Sequence, residues 1–128
     1  MAEDKAFEDG MEVRRKMWGT EGADQRLAAA SAFNRPFEEL ITEYCFGKVC
    51  TRELLDHKTR SLLTIAILAV LGKPTQLKTH VRGAIANGAT PDEIREVLMH
   101  VGIYGGVPAG ADAFIHARET LKELGLDK

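Results

Sequence analysis

Apolar and polar positions recur at helical spacing along this 128-residue chain, and one stretch is apolar almost throughout. Between Ser61 and Leu71 only Ser61 and Thr64 are polar. The run is too short to span a membrane, which needs about 20 apolar residues, but it is typical of a helix buried on nearly all sides within a bundle. We expect Asp56 to cap this helix and Gly72 to end it in the left-handed conformation.

The next helix is where polar side chains first follow the apolar run. It is predicted from about Pro74, a favoured first helical residue, to Asn87, with Gly88 as its stop. His80 lies one turn after Gln76 in this helix, so the two side chains share a face. A buried helix that leads directly into such a polar pair is the first place to look for chemistry.

A second start signal follows at Thr90-Pro91-Asp92-Glu93. Thr90 is a capping residue, Pro91 occupies the first helical position, and Glu93 completes a capping box. A helix is therefore predicted to begin here and to continue through Tyr104.

The remaining sequence predicts an amphipathic segment and three further helices. The amphipathic segment covers 1–18 and is followed by a loop at Gly19–Gly22. The three helices are predicted over Ala23–Phe33, after a cap at Asn34, and over about Pro108–Leu124. The apolar positions of the Asn34 helix recur at helical spacing: Phe37, Leu40, Ile41, Tyr44 and Cys45. We predict an all-α fold of about six helices in one domain, residues 1–128.

Composition and charge exclude several classes of protein. The formal net charge is −2, so no basic surface for nucleic acid or membrane is indicated. The N-terminus is polar and acidic, unlike a signal peptide, and we expect a cytoplasmic protein. Small and apolar residues dominate the last two helices, which indicates faces buried between copies in a homo-oligomer.

The two cysteines lie five residues apart on one predicted helix. In an α-helix Cys45 and Cys50 are separated by about 140° around the axis, which does not favour the converging geometry of a disulfide. We expect free thiols that are buried or half-buried.

His80 and Arg60 are the first candidates for chemistry. The His80 imidazole can give or take a proton near pH 7; the alternative is a hydrogen-bonded structural histidine. Arg60 precedes the apolar run and needs a carboxylate partner, which is either a ligand or another residue of the protein.

His100, Tyr104 and Gly106 form a second group of candidates. His100 and Tyr104 are one turn apart and either line a pocket or belong to the core. Gly106 lies in a turn whose amides either face a ligand carboxylate or simply connect two helices. The basic triplet Arg14–Lys16 is either a solvated face or an anion-binding feature. No zinc pair, nucleophile elbow, phosphate loop or dinucleotide fingerprint is present, and the histidines do not form a metal-ligand pattern.

Five stretches give the chain a family resemblance. They are GMEVRRKMWG at 10–19, RPFEELITEYCFGKV at 35–49, LDHKTRSLLTIAIL at 55–68, LKTHVRGAIANGAT at 77–90 and EIREVLMHVGIYGGVPAG at 93–110. In this order they resemble the carboxymuconolactone decarboxylase family. The resemblance implies an all-helical homotrimer or homohexamer that decarboxylates 4-carboxymuconolactone to the β-ketoadipate enol-lactone in protocatechuate degradation.

The family has a second branch, the alkyl hydroperoxide reductase D-type proteins. That branch uses a CxxC pair before the histidine that matches His80, and a glutamate at the start of the buried helix. The cysteine positions fall on Lys73 and Gln76 here, and the glutamate position on Ser61. A thiol peroxidase needs a low-pKa thiolate and a resolving partner, so the decarboxylase branch fits better. In that branch Gln76 replaces a usual glutamate, and Cys50 replaces a tryptophan.

The resemblance implies roles for a reaction that needs no cofactor. His80 would protonate the substrate, with Gln76 or backbone amides at the oxyanion. Arg60 or Arg82 would anchor the spectator carboxylate. His100 and Tyr104 would complete the wall of the pocket. Two alternatives stay open: a thiol-dependent antioxidant protein that uses Cys45 and Cys50, and a family relative that binds a small acid or only assembles.

Overall fold

The structure, a computed structural model, describes residues 2–128, with side chains from residue 4 onwards, and the regular elements in this range are all helical. They are α1 (Ala2–Thr20), a π-helix (Glu21–Gln25), α2 (Arg26–Ala29), α3 (Arg35–Ile41), a second π-helix (Thr42–Val49), α4 (His57–Leu71), α5 (Pro74–Ala86), α6 (Pro91–Tyr104) and α7 (Val107–Glu123). When each π-helix is counted with the α-helices it continues, the described residues form six helical segments. The predicted all-α fold of about six helices is confirmed.

The chain divides into two compact units, Met1–Asp56 and His57–Lys128. The single domain expected from chain length stays a prediction. Among the described residues, no helix is both long and apolar enough to cross a membrane.

The N-terminal unit is built on a close approach of α1 to the second π-helix. A Cβ atom added at Gly47 would lie 2.0 Å from the carbonyl oxygen of Ala6, and one added at Gly10 would lie 2.0 Å from that of Thr42. Only glycine fits at either position, because any side chain would collide with backbone that cannot move aside. The two helices therefore contact each other through their main chains.

A buried ion pair lies beside this contact. Arg14 and Glu38 are 3% and 6% exposed, and Arg14 Nη1 donates to Glu38 Oε2 at 3.3 Å and to Thr42 Oγ1 at 2.9 Å. Arg26 Nε donates to the other carboxylate oxygen at 3.2 Å. Burial lowers the pKa of the Arg14 guanidinium, and the Glu38 carboxylate opposes that shift. For Arg14 both expected readings of the basic triplet, a solvated face and an anion-binding feature, are wrong.

The apolar positions of α3 and its π-helical continuation face outwards. Phe37, Leu40 and Tyr44 are exposed, whereas Glu38 and Thr42 on the same segment are buried. The helical spacing of these apolar residues was correct, but it identifies the outer face of this segment rather than a core face.

Boundaries in the N-terminal unit differ from the prediction in three places. Gly19 has φ 70° and interrupts the helical backbone, but the chain becomes helical again at Glu21, so the predicted loop is a kink. The next helix ends at Ala29, because Ala30 is extended. Asn34 precedes α3 without capping it, since its side-chain oxygen accepts from the Ser31 backbone amide at 2.8 Å.

The C-terminal unit has a conventional apolar core. Its buried residues come from all four helices and from the connection between α5 and α6: Ile65, Ala69, Leu77, Val81, Ala84, Ala89, Ile94, Leu98, Val101, Ala113 and Ala117. The predicted ends are confirmed by Gly72 (φ 68°) after α4 and Gly88 (φ 97°) after α5. The capping box is also confirmed, because Thr90 Oγ1 accepts from the Glu93 amide and Glu93 Oε1 accepts from the Thr90 amide.

The prediction that α4 is buried on nearly all sides is wrong for the single chain. Its buried face consists of Ser61, Ile65 and Ala69, which recur every four residues. Leu63 and Ile67 on its other side are 49% and 58% exposed. An apolar run without periodicity therefore marks one core face and one further apolar face.

Candidate functional site

His80 is held on α5 by a sharp connection from the apolar helix. Gly72 takes the left-handed conformation that ends α4, and Pro74 begins α5 two residues later. His80 is half-buried in the second turn of α5, and its Nδ1 atom is fully buried. One nitrogen of the imidazole is therefore enclosed by protein, while the residue as a whole is half-buried.

A polar contact joins α4 and α5 on the flank of α5 that carries His80. Asn87 follows His80 by two helical turns, so both lie on one side of α5. Asn87 Nδ2 donates to Ser61 Oγ at 3.0 Å, and Ser61 is 3% exposed. Asn87 Oδ1 is buried without a hydrogen-bond partner among the described residues. The contact ties the end of α5 to the start of α4.

The opposite flank of α5 is engaged in ion pairs with α7. Lys78 Nζ lies 2.6 Å from Glu119 Oε2, and Arg82 pairs with Glu123. Lys78 lowers the pKa of the Glu119 carboxyl through this contact. Arg82, expected to anchor a substrate carboxylate, is therefore already bound to a carboxylate of the chain.

Gln76 lies in the first turn of α5 and Arg60 in the first turn of α4, the two helices that the contact between Asn87 and Ser61 joins. Gln76 is exposed in the first turn of α5, where the helix dipole favours a negative charge. Arg60 is half-buried in the first turn of α4, next to Ser61. His80, Gln76, Arg60 and Ser61 thus belong to consecutive helices of one unit.

His100 and Tyr104 form a contact of their own on the outer face of α6. Their ring centroids are 4.6 Å apart with a tilt of 31°, and Tyr104 is 80% exposed. Gly106 has φ 116° and immediately precedes α7. The expectation that His100 is a core residue is wrong, because this face is open in the single chain.

An apolar groove of about 320 Å³ lies between α6 and α7. It is lined by Leu98, Met99, Gly102, Ile103, Val107, Gly110, Ala111 and Phe114. Among residues 2–128 no group of three or more histidine, cysteine or acidic side chains is placed to hold a metal ion.

The family model for the carboxymuconolactone decarboxylase family matches residues 35–119, which is most of the chain and includes α3 to α6 and most of α7. The chain belongs to this family. The family resemblance expected from the five sequence stretches is therefore confirmed.

Two relatives extend the comparison beyond the family match. The chain is 36% identical over 126 residues to the 4-carboxymuconolactone decarboxylase of Acinetobacter baylyi, covering 98% of this chain and 94% of the relative. It is 39% identical over 120 residues to the nitrosuccinic acid decarboxylase of Metarhizium robertsii, covering 94% of this chain and 84% of the relative. Both relatives are named as decarboxylases, and this member of the family is a carboxy-lyase.

Asn87 is the residue of this region that sequence reasoning missed. It had been assigned only to the end of a helix, before the stop at Gly88. Its spacing of two turns from His80 was available as a signal, but the contact with Ser61 depends on how α4 and α5 cross, which local pattern does not specify.

Proposed function

We propose that the enzyme decarboxylates 4-carboxymuconolactone to the β-ketoadipate enol-lactone, as a step of aromatic-acid degradation in the cytoplasm. The observation that carries the proposal is the similarity over nearly the full length to a 4-carboxymuconolactone decarboxylase, together with His80 held on α5. The substrate is a small carboxylated lactone, and the reaction needs no cofactor because the lactone itself accepts the electron pair.

The electron flow defines what the site must do. The bond from the γ-carbon to the leaving carboxylate breaks and releases CO2. Its electron pair moves through the ring double bond and makes an extended dienolate with its charge on the lactone carbonyl oxygen. A proton delivered to the α-carbon completes the enol-lactone. The site must therefore hold the spectator carboxylate, stabilise the oxyanion and supply one proton.

His80 is proposed as the proton donor, because an imidazole can give or take a proton near pH 7 and this ring is only half-buried on α5. Gln76 lies one turn earlier and is proposed to donate its amide N–H to the oxyanion. Its lack of charge suits an anionic substrate better than a carboxylate would at this helix start.

Arg60 is proposed as the anchor for the spectator carboxylate, by a charge-assisted and preferably bidentate contact. Arg82 is the second candidate for this role, and its pair with Glu123 would have to open for it to bind the substrate. His100 and Tyr104 are proposed to form part of the substrate wall, and the Gly106 turn to supply backbone amides. Their exposure on one chain is consistent with a wall completed by a neighbouring copy.

Nitrosuccinic acid is a second candidate substrate, favoured by the similarity to the fungal enzyme. The two acids share a succinate unit. In each, one carbon carries the leaving carboxylate, a carboxymethyl group and an electron sink, which is the unsaturated lactone in one case and the nitro group in the other. One cationic side chain that binds the carboxylate of the carboxymethyl group, and one hydrogen-bond donor at the electron sink, would serve both substrates.

A peroxidase of the alkyl hydroperoxide reductase D type is the disfavoured alternative. Lys73 and Gln76 occupy the cysteine positions of that branch, and neither supplies a thiol. A catalytically altered member that only binds a small acid is the other alternative, and Gln76 is the residue that motivates it.

The enzyme is proposed to work as a homotrimer or homohexamer. The apolar groove beside Ile103 and the outer face of α4 both expose large apolar side chains, and a second copy of the chain is the proposed occupant. Light scattering should give a multiple of the chain mass, lowered by Ile103→Glu and unchanged by Arg95→Glu, an exposed control on α6. A wild-type mass of one chain at all concentrations would contradict the assembly.

The substrate proposal is tested by mixing purified enzyme with 4-carboxymuconolactone, nitrosuccinate and unsubstituted succinate in parallel, and measuring CO2 and the organic product. We expect fast release from 4-carboxymuconolactone and none from succinate, which lacks a sink. Release from nitrosuccinate alone would replace the lactone assignment. Release from neither, by folded protein, would favour the acid-binding alternative.

A further inference from the structure

Cys45 and Cys50 lie on the second π-helix rather than on an α-helix. The Cys50 amide donates to the Cys45 carbonyl at 2.9 Å, which is the hydrogen bond that closes one π-turn. Residues joined by this bond are one turn apart, as residues four apart are in an α-helix. The separation of about 140° expected for an α-helix is therefore wrong here, and both side chains project from neighbouring positions of one turn.

The π-turn is fixed by the packing of α1 against its other side. Gly47, between the two cysteines, lies against the Ala6 carbonyl with no room for a side chain. Thr51 Oγ1 also donates to the Gly47 carbonyl at 2.6 Å. Because this turn is rigid, the distance between the two thiols stays constant. The turn therefore resists the shorter separation that a direct disulfide bond would need.

Neither cysteine is in a disulfide, and Cys45 is exposed whereas Cys50 is half-buried. The expected burial of the thiols is therefore wrong for Cys45. Side chains one helical turn apart have Cβ atoms separated by about 5–6 Å, whereas a disulfide requires about 3.5–4.5 Å. A single soft atom with bonds of about 2.3 Å to each sulfur, the length of a zinc–thiolate bond, bridges this wider gap.

We propose that Cys45 and Cys50 form a dithiol site that captures one thiophilic centre, such as trivalent arsenic, between their two sulfurs. With phenylarsine oxide as the probe, both S–H bonds are replaced by As–S bonds and the arsenic loses its oxygen as one water molecule. The two thiol protons leave in that water, and no atom is oxidised or reduced. The site is independent of the decarboxylase proposal, since capture is measured without substrate.

The experiment treats reduced protein with phenylarsine oxide, adds excess glutathione, and measures the retained adduct by intact-protein mass spectrometry. We expect one phenylarsenic group per wild-type chain, with one water lost, that survives glutathione. Cys45→Ser and Cys50→Ser should each lose the group at least roughly 100-fold faster, because two attachments on one turn raise the effective concentration.

A relocated pair is the matched control, since it keeps the number of thiols constant. Cys45→Ser combined with Glu39→Cys places the second thiol on α3 at an exposed position, and its adduct should be labile to glutathione. Circular dichroism checks that every variant folds. The proposal is overturned if the wild-type adduct is as labile as those of the single variants, if arsenic links two chains, or if mild oxidation closes an intrachain disulfide more readily than arsenic binds.

Discussion

The two units of the chain differ in whether they bury an ion pair together with their apolar side chains. In the C-terminal unit α4 to α7 enclose residues such as Ile65, Val81 and Leu98, all essentially inaccessible to solvent. In the N-terminal unit the segment from α3 into the second π-helix buries Glu38 and Thr42 and leaves its large apolar residues outside. One unit is held by apolar packing, and the other combines buried apolar residues of α1, such as Met11 and Met17, with a buried ion pair and main-chain contact.

The difference shows where a hydrophobic pattern identifies a core. On α5 and α6 the buried apolar residues recur at helical spacing, because desolvation of those faces drives their packing. On α3 the same periodicity identifies an outer face. An exposed apolar face opposite a buried charged one is typical of an element that is covered again from outside, which agrees with the proposed assembly.

The largest effect is expected from breaking the buried ion pair of the N-terminal unit. Glu38→Ala leaves Arg14 buried without its carboxylate, which should lower the free energy of unfolding by about 3–5 kcal/mol. Denaturant unfolding measures it. Glu39→Ala removes the exposed partner of Arg35 on the same helix and should change stability by less than about 1 kcal/mol. Equal effects would mean that the buried pair does not stabilise this unit.

Truncation of the apolar core should have a similar or slightly smaller effect in the C-terminal unit. Leu98→Ala removes a side chain that is 1% exposed, and we expect a loss of about 2–5 kcal/mol, because buried apolar contacts are lost and the space that the side chain filled is left empty. Arg95→Ala, on the exposed side of α6, should stay within about 0.5 kcal/mol. If Leu98→Ala also changed the free energy of unfolding by no more than about 0.5 kcal/mol, the core of this unit would have to rearrange and fill the space left by the side chain.

Two glycine substitutions test main-chain contact against ordinary helix propensity. Gly47→Ala should destabilise by about 1–3 kcal/mol, as overpacking does, because its new Cβ meets the Ala6 carbonyl oxygen. Gly102→Ala has open space around its new Cβ and should gain about 0.5–1 kcal/mol from helix propensity. Thermal unfolding of both variants measures the contrast, and the same sign for both would contradict it.

The smallest effects concern surface carboxylates and pH. The hydrogen bond from Lys58 lowers the pKa of Glu93, with help from the Thr90 amide, and Arg15 lowers the pKa of Asp24. A lowered folded-state pKa gives stability that is present above the unfolded-state pKa and is lost as pH falls through the folded value. Glu93→Gln should therefore flatten the acid limb of stability against pH, and an unchanged limb would contradict this.

Much of the C-terminal unit could be predicted from sequence, because its helix ends are local signals. The Thr90–Glu93 capping box and the stops at Gly72 and Gly88 depend on residues within one or two turns. The N-terminal unit could not be predicted in this way. The Arg14–Glu38 pair joins positions 24 residues apart, and the π-turn follows from glycine packing that no propensity scale describes.

The candidate site was predicted in part. His80 and Gln76 share α5 as expected, and His100 contacts Tyr104 as their spacing indicated. The engagement of Arg82 by Glu123 and the contact of Asn87 with Ser61 each require the crossing of two helices. Residue type and spacing therefore suggest candidates, whereas tertiary contacts decide which groups are available to a substrate.

The most direct test is kcat/KM for 4-carboxymuconolactone, measured on the wild-type enzyme, His80→Ala and the control His116→Ala, with folding and assembly checked for each. We predict efficient wild-type turnover, a loss of roughly 100- to 10,000-fold for His80→Ala, as expected when a proton donor is removed, and little change for His116→Ala. Wild-type kcat/KM in folded His80→Ala would contradict the account by removing His80 from the mechanism, and the absence of wild-type turnover would contradict the lactone as substrate.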